Sequence, residues 1–289
     1  MSKLGSISVG NSNPVRIMGI LNLSPESFFK KSIATRKETI IRKTREIEEQ
    51  GADFIDIGGM STAPYLKTII PQKKESHRIT KAIKIIQGIS NIPISVDTCR
   101  SEVAKSALEL GVEIINDISG LKYDKEMRKI VEKYDPSLIL CASSKNLVKG
   151  NQLSQTKNLL RESIKIAKSA HISTDHIVVD PAIGFFRKKG KGKFFTRINS
   201  DWVKRDLLIL NNLSKIKLNY PVLVSVSRKS FIGNLLQTDN PNERLYGSLA
   251  AESIAVLNGA DIIRTHNVQE TKEVVSISQK LSHRFRKGL

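Results

Sequence analysis

An α/β fold, a single-domain (β/α)8 TIM barrel over residues 1–289, is what this sequence predicts, on three observations. The first is a recurring phrase: Gly51-Ala52-Asp53-Phe54-Ile55, Gly111-Val112-Glu113-Ile114-Ile115 and Gly259-Ala260-Asp261-Ile262-Ile263. Each copy follows a helix-like segment, its glycine suits the left-handed position that ends a helix, and its β-branched run reads as a buried parallel strand. The second is spacing: apolar strands recur roughly once per 36 residues, as βα units do. The third is that polar side chains stand at seven of the eight strand exits, where a barrel assembles its active site.

The first strand, residues 16–21, exits into Asn22-Leu23-Ser24-Pro25. The helix that follows places Ile40, Ile41, Thr44 and Ile47 on one side at helical spacing. The second strand, 54–57, supplies Asp56 and then Gly58-Gly59-Met60-Ser61-Thr62. The third, 92–96, gives Asp97-Thr98, and a helix follows over 101–110. The fourth, 114–118, carries Asn116-Asp117. The fifth is 137–140. The sixth, 177–179, gives Asp180-Pro181. The seventh, 222–226, gives Ser227-Arg228-Lys229-Ser230. A helix over 252–257 leads to the eighth, Ile262–Thr265, which ends at Arg264-Thr265-His266. A last helix from Val268 to about Phe285 closes the ring. The first ~14 and last ~5 residues are expected to be flexible. An open doubly wound sheet is the competing architecture, but Asp56-Ile57-Gly58-Gly59 does not lead straight into a helix as a dinucleotide turn must.

No Pro/Gly/Ser-rich linker divides the chain, which favours one domain. No apolar run approaches the ~20 residues of a membrane span, and Met1-Ser2-Lys3-Leu4-Gly5-Ser6 has no hydrophobic signal core. A cytoplasmic protein with no membrane partner is expected. Cys99 and Cys141 sit in no metal or redox spacing and read as buried reduced thiols. The net charge of +19 is spread over the chain, and aromatics are only 5%. That pattern reads as a lysine-rich surface with an anionic substrate, and not as a nucleic-acid partner, since no stacking platform is interleaved with the basic residues.

The rim residues divide by chemistry. Asp97, Asn116 and Asp180, on different strands, suit a flat heterocycle that presents N–H donors along an edge. Lys229, Arg264 and His266, with Asn22 and the Thr62 hydroxyl, suit a phosphate or pyrophosphate. Together they imply displacement of a pyrophosphate leaving group. No catalytic triad, nucleophile elbow or H-E-x-x-H motif is visible.

Seven segments, in order, resemble dihydropteroate synthase: Met18 to Phe28, Asp56-Ile57-Gly58-Gly59, Ser95-Val96-Asp97-Thr98, Asn116-Asp117-Ile118-Ser119-Gly120, Asp180 to Phe185, Ser227 to Gly233, and Ala260 to His266. The resemblance runs from about residue 15 to 275. It implies a transferase of folate biosynthesis that joins hydroxymethyl-dihydropterin pyrophosphate to para-aminobenzoate and releases pyrophosphate. Lys229, Asp97 and Asp180 are then the catalytic residues. Asp97, Asn116, Asp180 and Lys229 hold the pterin. Phe28, Thr62, Pro64, Phe185, Phe186 and Ser230 form the aminobenzoate pocket, with Ser230 on the carboxylate, helped by backbone N–H groups of the following helix. Asn22, Thr62, Arg264 and His266 take the pyrophosphate, and Asn22 ligates Mg2+. The implied mechanism is dissociative, through a delocalised pterin cation. The partners are these small molecules, and a homodimer is expected.

The sequence also departs from the resemblance. Lys30 stands where an acidic residue is usual. The second loop reads Met60-Ser61-Thr62-Ala63-Pro64-Tyr65 instead of E-S-T-R-P-G, which leaves Lys67 and Lys73 as candidate replacements for the missing cation. The fifth strand ends Leu140-Cys141-Ala142-Ser143 instead of near M-H-M. The sixth loop reads Gly184-Phe185-Phe186-Arg187 instead of G-F-G-K. The extra ring of Phe186 is expected at the pocket mouth, where it would crowd a sulfonamide, as in the sulfonamide-insensitive branch. The alternatives are a pterin-binding barrel of the methyltetrahydrofolate methyltransferase kind and a non-catalytic paralogue.

Overall fold

The computed structural model describes residues 2–66 and 68–282. Eight parallel strands form one sheet: β1 (Arg16–Asn22), β2 (Phe54–Gly58), β3 (Ile94–Asp97), β4 (Ile114–Asp117), β5 (Ser137–Cys141), β6 (Ile177–Asp180), β7 (Leu223–Val224) and β8 (Ile262–Thr265). Their order is β7-β8-β1-β2-β3-β4-β5-β6. A parallel bridge between Val179 and Val222 joins β6 to β7 and closes the barrel. The surrounding helices are α1 (Lys37–Glu49), α2 (Gln72–Gln87), α3 (Ser101–Leu108), α4 (Met127–Tyr134), α5 (Gln152–Ser169), α6 (Trp202–Leu210), α7 (Leu245–Leu257) and α8 (Val268–Leu281). Residues 283–285 of the expected last helix, and the last ~5 residues, lie outside the described residues. No described helix is long and apolar enough to cross a membrane.

The recurring phrase does what its residue types require. Gly51, Gly111 and Gly259 have φ of +86°, +82° and +103°, which carries the chain out of each helix without a Cβ clash. The acid that follows is used at two of the three sites to satisfy a neighbouring strand. Asp53 accepts the Ile17 N–H at 2.8 Å, and Asp261 accepts the Val222 N–H at 2.8 Å. The expected strands are therefore held in register at the bottom of the barrel as well as by burial.

Two apolar layers hold the fold. One lies between strands and helices. The other fills the barrel interior, where Met18, Phe54, Ile114, Ile139, Val178 and Ile262 meet. The expectation of a flexible N-terminus is corrected here. Lys3–Leu4 and Ile7–Ser8 form a small hairpin, and Leu4 and Val9, both fully buried, join the interior layer as a plug. A barrel this size must be filled by side chains, and these two complete the filling from below.

Register brings the rim residues to one level. Asn22 pairs with Gly58, Gly58 with Asp97, and Asp97 with Asn116. The longest rim loop, between β6 and α6, contains a two-residue parallel ladder, Phe186–Arg187 against Thr196–Arg197. Its tip rests on the loop after β2, where Pro64 O accepts the N–H of Lys191 and Gly192 at 2.9 and 3.0 Å.

Candidate active site

A cleft opens at the barrel mouth. Of the residues singled out in the sequence, Asn22, Phe28, Thr62, Pro64, Asp97, Phe185, Lys229, Ser230, Arg264 and His266 line it. Asn116 and Asp180 lie beneath, 5% and 6% exposed, at the strand ends that floor the barrel mouth.

The floor is organised by a residue to which sequence reasoning gave no role. Asp56, fully buried, accepts from Ser95 Oγ at 2.7 Å and from the Asn116 amide at 3.3 and 3.4 Å. Arg264 Nε donates to it at 2.6 Å, and Arg264 Nη2 donates to Asp97 at 3.1 Å. Burial alone would lower the Arg264 pKa, but Asp56 and Asp97 outweigh it and hold the value above the ordinary one. Arg264, expected on the pyrophosphate, is thus bonded to Asp97, expected on the pterin. The available signal was position: Asp56 faces Ser95, two residues before Asp97 on the next strand.

The carboxylates are poised. Burial pushes the Asp97 pKa up to about 7; Arg264 opposes this, while Asp56, Glu75 and Asp117 add to it. Asp97 Oδ1 is buried with no hydrogen-bond partner, so an acceptor at the cleft is left for a donor from outside. Burial also raises Asp180, against the pull of Lys229. Asp180 Oδ1 accepts the Ala182 N–H at 2.7 Å.

Lys229 ends the turn after β7 and stands just before a short helix, Ser230–Leu235, without a side-chain bond to it. Its Nζ donates to Ile183 O at 2.5 Å and lies 4.2 Å from the Phe185 ring centroid. Burial lowers its pKa to about 8, with Asp180 opposing. Gly184 makes this path possible. It has φ of +87°, and a Cβ there would come within 2.5 Å of Lys229 Cδ.

His266, expected on the pyrophosphate, lines the cleft as a neutral ring. Burial, then Arg264, Arg228 and Lys229, hold its pKa well below the ordinary histidine value. Its Nδ1 meets Ser227 Oγ at 3.1 Å, and its ring packs edge-on against Phe28 and Phe29 at 5.7 and 5.0 Å. It therefore offers a hydrogen bond and no charge.

Phe186 requires a correction. It is fully buried, does not line the cleft, and lies under the Arg205 guanidinium at 3.7 Å. The two-residue strand alternates its side chains, so with Phe185 on the cleft the next ring turns into the wall. Of the candidate replacement cations, Lys67 lies outside the described residues and Lys73 is exposed on α2. A cation absent from the expectations does reach the cleft wall. Arg187, almost wholly buried, donates from Nη2 to Ser230 Oγ at 2.6 Å.

Asn22 donates its amide nitrogen to Ser32 Oγ at 2.6 Å, which leaves the carbonyl oxygen for the cleft. One hard oxygen suits Mg2+, which takes few protein ligands and keeps waters and phosphate oxygens. Among the described residues no group of three or more His, Cys, Asp or Glu could hold a metal. The donor set fits an ion carried on a diphosphate.

Loop placement is held by Arg78 of α2, which donates to Gly59 O at 2.9 Å and to Glu26 at 3.2 Å, tying the first loop to the second. Burial would raise the Glu26 pKa, but Ser24 and Arg78 outweigh it and hold it at about 2.

Similarities to known proteins bear on this geometry. The pterin-binding enzyme family matches residues 18–266. A dihydropteroate synthase of Clostridium beijerinckii is 35% identical over 98% of this chain and 100% of its own. A Clostridium difficile dihydropteroate synthase structure, determined in the presence of pteroic acid, superposes with a TM-score of 0.82 at 32% identity, covering 94% of this chain and 98% of that one. A Xanthomonas albilineans dihydropteroate synthase with 4-aminobenzoic acid gives a TM-score of 0.81 at 28% identity, covering 93% and 94%.

Proposed function

The chain belongs to the dihydropteroate synthase family of pterin-binding enzymes, and from that membership and its own cleft we propose how it works. It is a transferase that condenses hydroxymethyl-dihydropterin pyrophosphate with para-aminobenzoate, giving dihydropteroate and pyrophosphate. The observation that carries the residue assignments is the floor network: a buried, unpartnered Asp97 oxygen beside Arg264, with Asn116 paired to Asp97 on the adjacent strand and Asp180 buried at the end of β6.

In this reading Asp97, Asn116 and Asp180 accept and orient the N–H edge of the pterin. As the C–O bond to the diphosphate breaks, positive charge spreads into the ring, and the buried carboxylates stabilise it. Arg264, Lys229 and the neutral His266 face the departing anion from the other side. Lys229, packed on Phe185, separates the pterin end from the aminobenzoate end. The aniline nitrogen then attacks, and no strong general base is required. Asn22 would hold Mg2+ together with the diphosphate oxygens. When bound, the ion neutralises leaving-group charge.

The same reading includes a homodimer. Its support is the apolar exposure of Tyr246, Ile254 and Leu257 on α7 and of Ile277 and Leu281 on the adjoining α8. A cytoplasmic location is supported by the two free buried thiols, Cys99 and Cys141. Insensitivity to sulfonamides remains part of the proposal, without Phe186 among its supports, since that ring is buried away from the cleft.

The test is product formation from the two substrates in wild type and in Asp180→Ala. Dihydropteroate should form, and the variant should lose roughly thirtyfold or more in kcat/KM, the worth of a charged hydrogen-bonded contact. No product from the wild type would overturn the activity. A variant near wild type would overturn the pterin assignment.

A further inference from the structure

We infer that Arg187 selects for a carboxylate on the second substrate, acting through the Ser230 hydroxyl. The inference rests on the synthase reading. It arises from a charge imbalance in the cleft wall. The Arg187 side chain is 8% exposed, and its guanidinium stacks 3.8 Å from the Trp202 ring centroid. Nη1 donates to Phe186 O at 2.9 Å, and Nη2 donates to Ser230 Oγ at 2.6 Å. The carboxylate within reach is Asp206, at 3.7 Å. That group is already bonded by Arg205 at 3.0 Å and accepts the Gly184 N–H at 2.9 Å. Two buried guanidinium groups therefore share one buried carboxylate.

A buried cation without a carboxylate of its own is costly, and the cost is relieved when an anion comes close. The wall offers one way to the cleft. Ser230 Oγ accepts from Arg187, so the Ser230 proton is free to turn to another acceptor, and Ser230 lines the cleft beside Phe185 and Tyr65. A carboxylate there accepts a hydrogen bond from the hydroxyl and lies one hydrogen bond from the guanidinium. A neutral group of the same shape accepts the same bond but leaves the charge unrelieved. Arg187 also explains how the second loop can carry Ala63 where the resemblance leads one to expect arginine. The sixth loop, docked on Pro64 O, brings a cation to the same end of the cleft from the opposite side.

The experiment compares para-aminobenzoate with neutral para-aminobenzamide in wild type, Arg187→Met, Arg187→Lys and Ser230→Ala. Each is measured as KM or inhibition constant, and by calorimetric titration with the pterin pyrophosphate site filled. Arg187→Met should weaken aminobenzoate about tenfold to a hundredfold, the worth of one charge-assisted hydrogen bond, with aminobenzamide unchanged. The loss should fall on the aminobenzoate KM and not on the pterin KM. Arg187→Lys should recover most of the preference. Ser230→Ala should lose it without adding to the Arg187→Met effect, since the two act as one path. Equal weakening of both ligands, or no weakening of either, overturns the inference. If wild type binds but does not turn over, the synthase reading fails, and the titrations still decide the selection.

Discussion

Replacing Asp56 by Asn removes one charge and almost no volume, and the consequences follow from four bonds. The carboxylate accepts from Arg264 at 2.6 Å, Ser95 at 2.7 Å and Asn116 at 3.3 and 3.4 Å. Hydrogen bonds to a charged group contribute about 1.5–3 kcal/mol, and breaking a buried ion pair costs about 3–5. Asp97 still holds Arg264 at 3.1 Å, so the lower part of that range applies, about 3 kcal/mol. For a chain of this size that lowers Tm by roughly 5 °C. The more specific effect is on Asp97. Burial raises the Asp97 pKa to about 7, and the Asp56 anion adds to the rise. With Asp56 neutral, Asp97 ionises at lower pH. If ionised Asp97 accepts the pterin edge, kcat/KM falls on the acid side as Asp97 is protonated, and in Asp56→Asn that fall moves to lower pH. The assay is kcat/KM for the pterin pyrophosphate between about pH 5 and 9, with a melting curve beside it. An acid limb that stays in place or moves upward refutes the reasoning.

Three further outcomes are expected. Lys229→Met should lower kcat/KM roughly a hundredfold and abolish an alkaline limb near pH 8, where the wild-type ammonium is lost; Lys30→Met, on an exposed loop bonded to Pro25 O, should stay near wild type, and equal effects would remove Lys229 from the site. Glu252, fully buried behind β8 with its pKa raised by burial from 4.5 to about 7, contributes stability that is complete below pH 4.5 and lost as pH rises through 7; Glu252→Gln should cancel about 3 kcal/mol of that loss at pH 8, seen as a flatter Tm against pH, and an unchanged slope would contradict it. Phe186→Ala should cost about 3–5 kcal/mol with the ratio of sulfonamide inhibition constant to aminobenzoate KM unmoved; a tenfold gain in drug sensitivity would return Phe186 to the cleft.

Much of this site was legible because a barrel turns sequence order into spatial order. Asn22, Asp97, Asn116 and Asp180 stand at strand ends, so finding the strands placed them. What escaped reading depends on contacts between distant segments. Asp56 looked like one more strand exit until Arg264, 208 residues away, was seen bonded to it. Phe186 and Arg187 sit on a two-residue strand with no periodicity to read, and facing there follows from pairing with Thr196–Arg197. The N-terminal plug is too short to announce itself, since Leu4 and Val9 acquire a role only when the barrel offers an unfilled floor. The neutral state of His266 likewise follows from burial among three cations, which no local pattern reports.

Pyrophosphate release, followed continuously with each substrate omitted in turn, tests the central claim most directly. The account predicts release in one-to-one proportion to dihydropteroate when both hydroxymethyl-dihydropterin pyrophosphate and para-aminobenzoate are present, and little without either. Release that ignores para-aminobenzoate, or none with both present, would contradict it.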